Sequence, residues 1–217
     1  MLPVIMVFAK APVPGQVKTR LQPLIDPEEA AELYHSFVGD VLEALARFIP
    51  VAEIELHLDS ITDAWRDLPY RRVLQRNGDI GFRMLSAAEH AIEEGRKRIV
   101  ILGSDAPNLP LTYVQDLLDS TADVMLGPAE DGGFYGISLN TVHPAMFDGV
   151  EWSTELTLEQ TIIACEQCGL QVNVGREWFD IDSPADLVKL VTHPTPPRTT
   201  AWLKKNHFLP EKAEPAN

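Results

Sequence analysis

Positive charge is scarce in this chain. Eighteen Lys and Arg stand against 32 Asp and Glu, a formal net charge of −14. That balance argues against binding nucleic acid or docking on anionic lipid, both of which need cations against phosphate. Neither nucleic acid nor a membrane is expected as a partner. Cysteine is almost missing: Cys165 and Cys168 are the two present in 217 residues. They are too few for a disulfide scaffold and two short of a four-ligand zinc site. Their C-x-x-C lies near the end of a predicted helix, not at a helix start after a strand, so it reads as small buried thiols. No apolar run approaches the roughly 20 residues of a membrane span. The opening run Val4-Ile5-Met6-Val7-Phe8 is too short for a signal-peptide core and is cut by Lys10, so a cytoplasmic protein is expected. The histidines at 35, 57, 90, 143, 193 and 207 show no metal-binding spacing, and no G-x-S-x-G elbow occurs.

What is present is an ordinary globular composition, 45% hydrophobic and 23% charged. Short apolar runs alternate with helical patterns. Val4–Phe8 reads as a buried strand. Asp26-Pro27-Glu28-Glu29 makes a capped helix start, and Leu33, Phe37, Val41, Leu45 and Phe48 follow on one face. Ile54, Leu56 and Leu58 alternate with Glu53, Glu55 and His57, which predicts a strand with one polar face. Val73-Leu74, Ile99–Leu102, Val124–Leu126, Phe134–Leu139 and Leu170–Val174 are further strands. Helices are predicted after Asn77-Gly78-Asp79, from a cap at Thr112, from Ser153 or Thr154, and from Ser183-Pro184-Ala185-Asp186 as the last helix. This rhythm predicts an α/β fold of three layers, α/β/α, around a mainly parallel sheet. Residues 1–192 are expected to form the domain, and 193–217 a proline-containing tail docked through Trp202 and Phe208.

In such a sheet, ligands bind beyond the carboxyl ends of the strands. After the first strand, Lys10, Lys18 and Arg20 surround the stiff turn of Pro12, Pro14 and Gly15. Three cations with freed backbone amides suit a di- or triphosphate, and equally well describe a surface loop. The segment lacks both the Walker A glycine and the G-x-G-x-x-G pattern. After the fourth strand, Gly103-Ser104-Asp105-Ala106-Pro107 holds a carboxylate between Gly and Pro, a candidate ligand for Mg²⁺ or Mn²⁺. Glu130-Asp131-Gly132-Gly133 joins two acids to two glycines between strands. Asp180-Ile181-Asp182 places two carboxylates on one side of an extended segment, with Asp182 preferred as the second metal ligand. Asp79 and Arg83 are expected to line the same cleft, although Asp79 is also a good helix cap.

Phe8-Ala9-Lys10-Ala11-Pro12 with Pro14-Gly15-Gln16-Val17-Lys18-Thr19-Arg20-Leu21 resembles the opening of the bacterial DUF2064 family, whose members are also labelled arsenosugar-biosynthesis-type glycosyltransferases. Further matching motifs occur in order: Gly78–Met84, Gly103–Pro107, Gly127–Tyr135, Trp152-Ser153-Thr154 and Asp180–Asp182. The resemblance spans roughly residues 3 to 190. It implies the GT-A, nucleotide-diphospho-sugar transferase fold, which also houses nucleotidyltransferases. It implies that the first loop (Lys10, Gly15, Lys18, Arg20) holds nucleotide phosphates and that Asp105 binds metal. One departure stands out: the Asp-x-Asp pair of a typical glycosyltransferase is here Ser104-Asp105-Ala106-Pro107, with a single acid. The leading expectation is a metal-dependent glycosyltransferase with a nucleotide-sugar donor and a small-molecule acceptor, Asp131 or Glu130 serving as base. The alternative is a guanylyltransferase-like nucleotidyltransferase acting on a small phosphorylated acceptor. A homodimer is an allowed assembly.

Overall fold

A computed structural model describes residues 1–210. Seven strands form one sheet: β1 (Val4–Ala9), β2 (Glu53–Leu58), β3 (Arg71–Leu74), β4 (Ile99–Leu102), β5 (Val124–Pro128), β6 (Phe134–Leu139) and β7 (Val172–Val174). Their spatial order is β3-β2-β1-β4-β6-β5-β7, and β6 alone runs antiparallel to its neighbours. Six α-helices accompany them: α1 (Pro27–Leu45), α2 (Ile80–Glu93), α3 (Leu111–Asp119), α4 (Thr157–Gln167), α5 (Pro184–Val191) and α6 (Pro197–Lys205). The mainly parallel α/β architecture is as the sequence predicts. No helix among the described residues is long and apolar enough to cross a membrane.

The continuous apolar run of β1 follows from its central place. Ile5, Val7 and Ala9 pack into the core shared with α1, α3, α5 and α6. Val4, Met6 and Phe8 enter the second core with α2 and α4. A strand covered on both faces has no polar side to show. The same coverage overturns the polar face expected for β2. Glu55 and His57 are 4% and 3% exposed, paired at 2.9 Å, and Arg71 donates to Glu55 at 3.0 Å.

Local signals set several helix starts. Asp26 and Glu29 close a capping box on α1, and Ser183 with Asp186 does so on α5. Two predicted starts shift. Helix α3 begins after Pro110, leaving Thr112 inside the first turn with no capping bond. Helix α4 begins at Thr157 because Ser153 takes a left-handed φ of 63°, which no helix continues. Of the two thiols expected to be buried, Cys165 is, and burial pushes it up to about 12, whereas Cys168 is only half-buried.

The stretch from residue 193, expected as a tail, contains α6, so α5 is not the last helix. Trp202 and Leu203 sink into the core beside α1, and Trp202 stacks on Phe208 at 5.6 Å. The start of α6 is capped from a distance. Asp40 on α1 accepts from Arg198 N at 2.9 Å and from Thr199 N and Oγ1 at 2.7 Å each. Burying Leu203 alone contributes about 2 kcal/mol.

Candidate active site

The chain leaves β1 for β2 on one side, while β4 lies on the other. Their carboxyl ends therefore face the crevice at a topological switch point, where ligands of open α/β sheets bind. The loop after β1 carries Lys10, and the loop after β4 carries Ser104 and Asp105.

The centre of the site is an ammonium held by acids. Lys18 sits in the left-handed region at φ 48°, and its side chain is 3% exposed. Its Nζ pairs with Asp105, contacts Asp182 Oδ1 at 2.8 Å and donates to Ile181 O at 2.6 Å. Lysine has three N–H donors and no acceptor, so all three are spent. Burial lowers its pKa, but Asp105 and Asp182 together outweigh that and raise it. The ammonium that the sequence suggests for phosphate is here turned to the two candidate metal ligands and fixes them. Asp182 is disfavoured as an anion by burial, yet Lys18 brings its carboxyl below the usual range. For Asp180 the same ammonium is outweighed: burial, and then the charge of Asp105, push its carboxyl up to about 8.

Tyr34 on α1 ties the two loops together. Its hydroxyl accepts from Lys10 N at 2.9 Å and lies 2.8 Å from Ser104 Oγ. Ala11 N donates to Asp59 at 2.7 Å, so two backbone amides expected to be free for phosphate are already bonded. Gly15 takes φ 77° at the turn but lies outside the cavity walls.

Three adjoining cavities open on this centre. One of 360 Å³ reaches from Lys10 and Asp105 to Gln75 and Arg83. A polar one of 600 Å³ is bordered by Lys10, Arg20 and Asp131. A third of 260 Å³ lies beside β6, against Phe134 and Trp152. Arg83 is aimed by Gln75 Oε1 at 3.0 Å, while Gln75 Nε2 donates to His57 O at 2.7 Å. Asp79 caps α2, accepting from Phe82 N at 2.8 Å, and lines none of these cavities.

Asp131 and Glu130 part ways. Asp131 accepts from Gly133 N at 2.9 Å and lines two of the cavities. Glu130 turns away and holds Lys189 at 2.5 and 2.6 Å. Between Asp131 and Gly133, Gly132 takes φ 86°, and any Cβ there would overlap the backbone of Glu155. The site thus brings together Lys10, Lys18, Arg20, Arg83, Asp105, Asp131 and Asp182, and leaves out Gly15, Asp79 and Glu130. Gln75, Tyr34 and Ser153 were not singled out from sequence. Ser153 stood within a matching motif, whereas the other two depend on long-range contacts.

A family model described as uncharacterised proteins conserved in bacteria, DUF2064, matches residues 51–154. The chain is 26% identical over 198 residues to 2-phospho-L-lactate guanylyltransferase of Methanothermobacter thermautotrophicus, covering 88% of this chain and 86% of that protein. A crystal structure from Desulfovibrio desulfuricans G20, provisionally assigned as a nucleotide-diphospho-sugar transferase, superposes with a TM-score of 0.85 at 31% identity, covering 95% of each chain. The inositol-1-phosphate CTP transferase of T. maritima shares the fold, with a TM-score of 0.56 at 12% identity over 94% of this chain and 97% of that one.

Proposed function

Because the chain belongs to the DUF2064 family and is a transferase with the nucleotide-diphospho-sugar transferase fold, we propose that it moves a nucleotidyl group from a nucleoside triphosphate to a small phosphorylated acceptor. The observation that carries this reading is the Asp105–Lys18–Asp182 cluster at the switch point, with Lys10 and Arg20 bordering the polar cavity beside it. The glycosyl reading led from sequence. Nucleotidyl transfer is preferred because Asp105 stands without an Asp-x-Asp partner and because the similarity to a guanylyltransferase runs along most of both chains.

The nucleoside occupies the 360 Å³ cavity, near Arg83. The phosphates extend past Asp105 toward Lys10 and Arg20, whose charges offset a triphosphate in a −14 chain. An oxygen of the acceptor's phosphate attacks the α-phosphorus in line. The new P–O bond forms as the α–β bridging bond breaks, and the electron pair leaves with pyrophosphate. A phosphate monoester is already anionic near pH 7, its second pKa being about 6. The attack therefore needs no general base, and neither Asp131 nor Glu130 has to supply one.

Asp105 and Asp182 fit a hard divalent cation. Their donors are carboxylate oxygens, and beside them lies a third acid, Asp180, whose carboxyl is pushed up by burial and then by the charge of Asp105. Mg²⁺ or Mn²⁺ bound by them would neutralise charge on the leaving pyrophosphate. Lys18 holds both carboxylates in place before any ligand arrives, which lowers the ordering cost of binding.

The test is a product assay with Mg²⁺. Nucleoside triphosphates are supplied with 2-phospho-L-lactate as probe acceptor, and nucleotide sugars in parallel. Pyrophosphate release in the first series is the expected result. Nucleoside diphosphate release from nucleotide sugars, without pyrophosphate, would overturn the proposal.

A further inference from the structure

We propose that the acceptor carries an apolar, flat or hydrocarbon body beside its phosphate, and that this body lodges in the 260 Å³ cavity against β6; the inference rests on the nucleotidyl-transfer reading. Asp182 and Ser153 line all three cavities, so the three meet at these two residues. The 600 Å³ cavity is bordered by charges and hydroxyls. The β6 cavity is different. Phe134 and Trp152 wall it and Ile80 and Met84 close it from α2, while Asp105, Asp131, Asp180 and Asp182 with Ser153, Thr154 and Thr157 make up its polar lining.

The aromatic wall is built to stay. Trp152 meets Phe134 edge-to-face at 6.4 Å and Phe147 at 5.7 Å. Its indole presses onto Gly81 of α2, where any Cβ would overlap the ring. The next residue, Ser153, is held at φ 63°. Such a conformation persists in a non-glycine residue only where the surroundings enforce it. Here Thr154 N donates to Thr157 Oγ1 at 3.2 Å, Thr157 Oγ1 donates to Glu151 O at 2.9 Å, and Glu151 N donates to Gln160 at 2.6 Å. The bent turn sets the indole against the cavity and leaves Ser153 at the junction.

A polyhydroxyl acceptor could pair with the acids and hydroxyls of the lining, but each hydroxyl it turned to Trp152 or Phe134 would be buried against a ring. A ring or alkyl body packs on Trp152 and Phe134 instead, with its phosphate turned toward the carboxylate cluster and the basic rim.

The probes are 1-naphthyl phosphate and glycerol 3-phosphate, titrated calorimetrically into the full-length protein with Mg²⁺, both with and without a non-hydrolysable triphosphate analogue. Expected is tighter binding of 1-naphthyl phosphate by about tenfold or more. Trp152→Ala should cut that ratio to about threefold or less. If Trp152→Ala does not fold, Ile80→Asn must lower the ratio in the same direction. Equal affinities in the wild type, or a ratio unmoved by both variants, overturns the inference. Failure of the triphosphate analogue to bind counts instead against the nucleotidyl reading, and the acceptor ratio is still measured in its absence.

Discussion

Lys18 and Asp182 lie 164 residues apart in the chain, and the ammonium of one sits 2.8 Å from the carboxylate of the other. The loop after β1 is thereby stitched to the segment that opens α5, with Asp105 as the third party. The basic residue expected to grip phosphate serves as the internal counter-ion of the acids expected to grip metal.

Lys18→Met leaves those acids unpaired. The carboxylates are 43% and 41% exposed, so the cost should fall to about 2–3 kcal/mol, below that of a fully buried pair. Because the carboxyl of Asp182 is depressed in the fold, its contribution is present at neutral pH and is lost as pH falls through that value. Urea denaturation should therefore show the full deficit at pH 7 and a smaller one below about pH 4. A constant deficit would contradict the pairing.

Asp180 gives the opposite slope. With its carboxyl raised to about 8, the folded state holds a proton that the unfolded chain releases near pH 4. Stability from this group is complete below that point and drains away as pH rises toward 8. Asp180→Asn is expected to stabilise the apo-protein at pH 8 by about 1 kcal/mol or more relative to its effect at pH 5. Thermal unfolding across that range decides the matter; a gain confined to low pH would contradict it.

Asp105→Asn keeps the shape but weakens the cation ligand. Wild-type protein with Mg²⁺ and a triphosphate at 100 times its dissociation constant should gain about 2.7 kcal/mol. The variant should lose the part of that gain that depends on Mg²⁺. Identical metal dependence in the two proteins would reduce Asp105 to a turn residue.

Arg20→Ala and Glu130→Gln form a contrasting pair. Arg20 is exposed at the polar cavity, so its loss should weaken triphosphate binding by about 1.5–3 kcal/mol with little change in melting temperature. Glu130 makes a surface ion pair with Lys189, so Glu130→Gln should cost under about 1 kcal/mol of stability and leave turnover unchanged. Loss of turnover in Glu130→Gln would return it to the catalytic list.

Legibility in the sequence follows the range of the forces. The capping boxes of α1 and α5 are satisfied within four residues, and both are readable as Asp26-Pro27-Glu28-Glu29 and Ser183-Pro184-Ala185-Asp186. Loop ends after β1 and β4 are readable as well, because buried strands announce themselves by apolar runs. What was not readable depends on distant partners. Glu55 and His57 look exposed by alternation and are buried because the sheet is covered on both faces. Helix α6 is short and begins among prolines, and its cap comes from Asp40, 158 residues earlier. Lys18 looks like a phosphate ligand until the fold brings Asp182 to it.

The docking of α6 also sets the order in which this protein can be completed during synthesis. Strand β1 emerges first, yet the sheet places β4 beside it and puts α6 on the flank of α1. A nascent chain that has released residues 1–192 still lacks the partner that Asp40 caps and the Trp202–Leu203 plug. The carboxylate of Asp40, raised by burial in the finished fold, faces water until then. At about 5–20 residues per second, the stretch from residue 193 to the end of α6 follows within seconds. Arrest peptides placed on either side of α6 should therefore register a distinct late pulling force as that helix docks.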